Sequence, residues 1–284
     1  YVTGVLTCAL PILENDWFKL SYEIGKGFTS FYNKKTGKEM LKDGLEKFFT
    51  PIYERTEIRK GIYAERSRLG RNIRGLHAEQ FQAKLKDLKI LENGNIFTKI
   101  KFEFELEGTY RSSVIIKMYR NLPKLTFSYQ IAKTLSEDVE SVYMPLSLNV
   151  EDGSVMHINN GGVAMRPGID QLPGTNMEYY IADEGVVYQG KDQSILINTL
   201  DTSLLYMGEM KSHPILLCDG KEEYNRRPLY SWIMNNTWET NFKMDLSGFG
   251  EYRYTLWLSG ETDPQRAMEE LRERCFEPWP LITG

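Results

Sequence analysis

Lys99-Ile-Lys-Phe-Glu-Phe-Glu-Leu106 decides the fold class. Ile100, Phe102, Phe104 and Leu106 occupy alternate positions, with Lys99, Lys101, Glu103 and Glu105 between them. A period of two places the apolar set on one face of a β-strand and the charged set on the other. Gly108 ends the run. Ser113 to Arg120 repeats the pattern with Val114, Ile116 and Met118, and Leu125 to Ile131 repeats it again after the turn at Asn121-Leu122-Pro123. Three strands joined by short polar turns predict an antiparallel meander with one face on a core.

Upstream, Phe18, Leu20 and Tyr22 alternate with Lys19, Ser21 and Glu23. Gly25-Lys26-Gly27 turns the chain, Phe28 to Tyr32 returns it, and Asn33 to Gly37 forms a second turn. Residues 41 to 85 read as a solvated, loop-rich excursion whose six arginines face water. Downstream, a strand is expected over Val142 to Val150, at a sheet edge or bulge because of Pro145. The Gly/Pro/Asn-rich stretch Gly153 to Gly174 reads as a long loop. Further strands are expected at Gly185–Tyr188, Ser194–Thr199, Leu204–Met207 and Tyr252–Leu258. One helix is expected near the end, where Asp263-Pro264 supplies a cap and a first-turn proline. The prediction is an all-β protein of two sheets packed face to face, with a short C-terminal helix.

Composition narrows the function classes. Net charge is −4 and the basic residues are spread along the chain, which does not suit a nucleic-acid partner. No apolar run is long enough to span a membrane. Cys8, Cys218 and Cys275, like His77, His157 and His213, are too scattered for a disulfide framework or a metal cluster. Three cysteines are compatible with a reducing, cytosolic setting. Residues 1–14 read as a non-native leader, with the first dozen similar to a translated sequencing-adapter peptide. Residues 15–284 then form the β domain.

The stretch richest in chemistry runs from Tyr230 to Phe242, Tyr-Ser-Trp-Ile-Met-Asn-Asn-Thr-Trp-Glu-Thr-Asn-Phe. Asn235, Asn236 and Asn241 each donate and accept, and Trp232 and Trp238 offer apolar faces, a combination that suits a sugar ring. The plainer alternative is a strand and turn with the tryptophans in the core.

Two runs carry a family resemblance. Trp17 to Met40, with Ser30, Tyr32, Asn33, Lys34, Thr36, Gly37 and Glu39 in a hairpin motif, resembles the opening of the C-terminal β domain of glycoside hydrolase family 38, the α-mannosidase-like proteins. The departure is Asn33, where the family commonly has Asp. The run Asn235, Asn236, Trp238, Thr240, Asn241 and Phe242 is similar to a late motif of the same family. The resemblance implies a galactose-mutarotase-like β-supersandwich. It also implies an N-terminal β/α barrel, absent from this chain, that carries the nucleophilic Asp and a divalent metal, usually zinc. No catalytic or metal residue is then expected here. Arg227, Asn235, Asn236, Trp238 and Asn241, with the Asn159-Asn160-Gly161-Gly162 loop, would face the barrel and complete the pocket for a carbohydrate substrate. Glu239 is the acidic residue nearest in sequence to that set. Other readings are a non-catalytic carbohydrate-binding sandwich, a purely structural domain, and a lyase-type supersandwich using Tyr, His, Arg and Asn between His213 and Asn236.

Overall fold

A computed structural model describes residues 12–41, 48–57, 78–149, 153–210, 216–220, 228–236 and 245–275. Those residues form three antiparallel sheets and one helix. The smallest sheet has four strands in sequence order: β1 (Ile12–Glu14), β2 (Phe18–Glu23), β3 (Gly27–Asn33) and β4 (Lys38–Glu39). Glu39 accepts hydrogen bonds from Ser30 Oγ and the Phe31 amide, which ties β4 back onto β3. Asn33 Oδ1 accepts the Lys35 amide and closes the turn before Gly37, whose φ of +69° suits glycine. Its Nδ2 donates to Gln193 Oε1 at 2.6 Å, a bond that an Asp carboxylate could not make.

The meander is present and extends into the largest sheet. β7 (Lys84–Asn93), β8 (Phe97–Glu105), β9 (Thr109–Tyr119) and β10 (Lys124–Lys133) pair in succession, and β10 pairs on its far side with β19 (Gly248–Ser259). Beyond β19 lie β16 (Ser194–Asn198), β15 (Gly185–Gln189), β12 (Val155–Asn160) and β13 (Val163–Met165), giving nine strands. The third sheet has six strands, in the order β14 (Tyr179–Ile181), β17 (Leu204–Met207), β18 (Leu229–Asn235), β11 (Val139–Pro145), β5 (Ile52–Thr56) and β6 (Glu79–Gln82).

One hydrophobic core takes side chains from all three sheets, among them Phe18 and Phe31, Phe102 and Phe127, and Val142 and Leu229. Aromatic rings join the layers: Tyr22 meets Phe102 edge-on at 4.7 Å, and Phe49 stacks on Phe127 at 4.0 Å. The outer face of the nine-stranded sheet is partly covered by α1 (Pro264–Cys275). Asp263 Oδ1 caps it by accepting the Arg266 amide, and Ala267, Met268 and Leu271 pack on Val187, Leu196 and Trp257. The architecture is an all-β sandwich with a short C-terminal helix, as the alternation predicted. Among the described residues no helix is long and apolar enough to cross a membrane.

β7 and β14 were not expected from the sequence, and four further regions differ from its reading. Residues 12–14, set aside there with the leader, form β1, and Leu13 is buried. The charged excursion contains β5 and β6, because Ile52 and Tyr53 are both buried and blur the alternation. The stretch read as a long loop contains β12 and β13. β12 buries Met156 and Ile158 on one face and His157 and Asn159 on the other, so no polar face marks it. β11 lies between β18 and β5, starts three residues earlier than expected and ends at Pro145. Its pairing with β18 shifts register between Val142 and Tyr143, a bulge but not an edge.

Candidate functional site

β18 carries the first half of the Asn/Trp stretch. Strand alternation turns Leu229 into the shared core and Tyr230 and Trp232 onto the opposite face of the six-stranded sheet. There they join Tyr143 of β11, Tyr206 of β17 and Tyr179 of β14. The Trp232 ring lies nearly parallel to Tyr143, at 5.7 Å and 12°, and 5.3 Å from Tyr179. It is buried, and its indole Nε1 makes no hydrogen bond. Trp232 is therefore part of an aromatic layer and not an open platform for a sugar face. Trp238, Glu239 and Asn241 lie outside the described residues, as do Arg227, His77 and His213.

The structure gives the two neighbouring asparagines different surroundings. Asn235 is half-buried at the end of β18, opposite Ser141. Asn236 is engaged on both sides of its amide: Oδ1 accepts the Glu140 N–H at 2.6 Å and Nδ2 donates to the Asp138 carbonyl at 2.8 Å. It fastens the end of β18 to the start of β11. Behind that fastening lies a buried ionic cluster. Lys133 Nζ is 2.5 Å from Glu140 Oε1, and both side chains are wholly buried. The Tyr53 hydroxyl donates to the same carboxylate oxygen, and burial together with that carboxylate pushes the phenol pKa far upward. Gly108, at φ +71°, lies against the Tyr53 ring, where an added Cβ would stand 2.7 Å from it. A group this enclosed can order strands but has no route to a substrate.

The Asn159–Gly162 segment is the turn between β12 and β13, on a different sheet from Asn235 and Asn236. Asn159 Nδ2 donates to Glu184, which also accepts Arg272 Nε at 2.9 Å. The Gly161 amide donates to Asp183, and Gln265 Nε2 of α1 donates to the Gly162 carbonyl. Asp183 and Glu184 are thus occupied in holding this turn to the helix. Nearby, burial and the Glu184 carboxylate raise the Cys275 thiol to about 12, so it remains protonated near neutral pH. His157 is buried on the same strand as Asn159, and burial, then the Arg166 charge, lower its pKa. Among the described residues no three His, Cys, Asp or Glu side chains are grouped to hold a metal.

An open concavity of about 790 Å³ lies elsewhere, on the outer face of the nine-stranded sheet. Lys99, Lys117, Lys124, Thr126 and Thr255 line it from the strands, with Arg274 from the end of α1. Lys117 Nζ sits 4.2 Å over Phe97 and 4.7 Å over Tyr119. Lys124 lies 5.1 Å over Tyr119 and 5.0 Å over Trp257, and Arg274 takes the Trp257 ring at 4.2 Å. At one end Arg253 grips Asp201 with two nitrogens, at 2.8 and 3.2 Å. Burial alone would raise the Asp201 pKa, but Arg253 holds it below the ordinary range. Sequence reasoning missed this groove. The alternation showed that Lys99 and Lys117 point away from the core, but nothing in the linear order showed them opposite one another.

No family model and no curated protein matches the chain. Solved structures are similar to it. An α-mannosidase from Enterococcus faecalis V583 aligns over 93% of this chain and 31% of its own, at 10% identity and a TM-score of 0.56. A glycosyl hydrolase family 38 protein from Enterococcus faecalis aligns over 93% and 32%, at 9% identity and a TM-score of 0.55. A galactose mutarotase related enzyme from Lactobacillus acidophilus aligns over 90% and 99%, at 8% identity and a TM-score of 0.45. The chain spans about a third of the two Enterococcus chains, and at these identities the likeness is one of fold.

Proposed function

We propose that this chain is the β-sandwich portion of an α-mannosidase-like glycoside hydrolase, packing against a catalytic domain and completing its carbohydrate pocket. The observation that supports this most is the alignment of 93% of the chain with 31% of an α-mannosidase at a TM-score of 0.56. The hairpin motif at Ser30–Glu39 and the Asn/Trp run point the same way. In this reading Arg227, Asn235, Trp238 and Asn241 contact sugar. Asn236, whose amide already bonds Glu140 and Asp138, positions them. The divalent metal of such enzymes, usually zinc, belongs to the catalytic domain. The described side chains here form no ligand set for it. A free-standing carbohydrate-binding module would want exposed, coplanar rings, whereas the coplanar pair Tyr143 and Trp232 is buried.

Reading the source gene upstream of Asn15 tests the proposal. An in-frame β/α barrel with a His-x-Asp pair and a later Asp is the expected result. A stop codon or an unrelated domain would overturn it. In the full gene product, Trp238→Ala and Asn241→Ala should raise KM for an α-mannoside. Asn236→Ala should cost about 1–3 kcal/mol of stability through the orphaned Glu140 amide and, by loosening the residues it positions, raise KM less than Trp238→Ala does.

A further inference from the structure

The groove on the nine-stranded sheet has an arrangement of charge that folding does not explain. Lys99 of β8 stands directly opposite Lys117 of β9, a like-charge pair that disfavours the sheet. Lys117 in turn faces Thr126 of β10, with Lys124 two residues along the same strand and facing Trp257. Elsewhere on this surface cations have partners: Lys101 with Glu103, Arg253 with Asp201, Arg274 with Glu270. Among the described residues Lys117 and Lys124 have no ion-pair partner, whereas Lys99 has Glu92 opposite it on β7. Lys117 and Lys124 are held over aromatic rings, which fixes them in place without neutralising them.

We infer that this groove binds an anionic oligosaccharide, one whose sugar units carry sulfate or carboxylate groups. The ammonium groups of Lys117 and Lys124, without an ion-pair partner among the described residues, and of Lys99 beside Lys117 are spread over β8, β9 and β10, strands spaced by roughly 4.8 Å. Such a row matches a ligand with repeated oxyanions better than a single phosphate, which would engage one or two of them. Thr126 and Thr255 continue the same register row beyond Lys117 and line the groove, where their hydroxyls can bond sugar hydroxyls. The volume, about 790 Å³, is that of a ligand cleft. A nucleic-acid strand fits less well. Phe97, Tyr119 and Trp257 are already occupied by ammonium or guanidinium groups and offer no free platform for bases. The Arg253 end of the groove is neutralised by Asp201 and carries Glu251 on the next outward position. The choice of a sugar as carrier draws on the proposed glycosidase reading, but the anion site itself does not.

Calorimetric titration of the full chain tests this with four probes: a sulfated oligosaccharide, an oligogalacturonide, a neutral manno-oligosaccharide of equal length, and a single-stranded oligonucleotide. The expected result is binding of one or both charged sugars, weakening with salt, and none of the neutral one. The sulfated and carboxylate arms tell which oxyanion is preferred. Lys117→Gln with Lys124→Gln should weaken that binding by about tenfold or more, because both act by charge. Lys86→Gln, an exposed lysine on β7 paired with Glu105, should leave it unchanged, and a melting curve for each variant confirms that it folds. No binding of either charged sugar, equal binding by the neutral one or by the double variant, or tighter binding of the oligonucleotide would overturn the inference. Loss of an α-mannoside activity would not, so the two readings fail separately.

Discussion

β10 begins with Lys124 and ends with Lys133, and both ammonium groups lie over aromatic rings: Lys124 over Tyr119 and Trp257, Lys133 over Tyr53 at 5.0 Å. Everything else about them differs. Lys133 is wholly buried and shares Glu140 with the Tyr53 hydroxyl. Lys124 is half-buried at the rim of an open groove and has no carboxylate partner. A cation taken out of water must be paired, so the closed end of the strand uses its lysine as a fastening. At the open end water does part of that work, and the charge stays available. The same residue type on one strand is scaffold at one end and a candidate contact at the other.

The closed end is where substitution should do most damage. Lys133→Met leaves Glu140 buried without its cation, and about 3–5 kcal/mol of stability should be lost in urea unfolding. Replacing both partners, Lys133→Met with Glu140→Leu, should recover most of it. If the single variant is as stable as the parent, the pair does not hold this end together. Gly108→Ala attacks the same cluster from the side. The new methyl would meet the Tyr53 ring on a backbone with φ of +71°, and a cost of about 1–3 kcal/mol is expected from overpacking and strain. A smaller loss at Gly108 in a Tyr53→Phe background would show that the damage passes through the Tyr53 hydroxyl.

His157 extends the comparison to a buried base whose facing charges work against its protonation. Burial and then Arg166 lower its pKa, with Asp170 opposing them in part. The unfolded chain therefore takes up a proton near the ordinary value of 6.5 while the folded chain resists it. Stability should be full above that value and fall as pH drops through it and toward the lowered folded pKa. Melting temperatures between about pH 7.5 and 5 should show that slope, and His157→Gln should flatten it. A slope of the same size in the variant would assign the effect to other groups.

The fold was legible where buried and water-facing residues alternate along a strand, and not in β7, which exposes most of its residues. β8, β9 and β10 follow the alternation of Lys99–Ile131, and α1 begins at the Asp263 cap. β12 was hidden because His157 and Asn159 are as buried as Met156 and Ile158, which leaves no periodic signal. The Asn/Trp stretch stood out by composition, but composition did not show where its described residues lie. Trp232 and Asn236 are conspicuous in sequence, but the one packs between tyrosines and the other ties two strands together. Lys99, Lys117 and Lys124 are unremarked lysines on three strands, and only pairing registers that the chain settles on folding bring them together.

The smallest effect is expected at the open end, and it sharpens the contrast with Lys133 most. Lys117→Gln removes two ring contacts, at 4.2 and 4.7 Å, which are worth about 0.5–1 kcal/mol together at a partly exposed site. It also relieves the opposition of Lys117 to Lys99, a gain of about 0.2–1 kcal/mol. The two terms oppose one another, so net stability should change by less than about 1 kcal/mol, well below the loss expected at Lys133. High salt screens the lysine repulsion and leaves the ring contacts largely in place, so the parent should gain slightly on the variant as ionic strength rises. A loss comparable to that at Lys133 would mean that Lys117 is scaffold as well, and the distinction between the two ends of β10 would collapse.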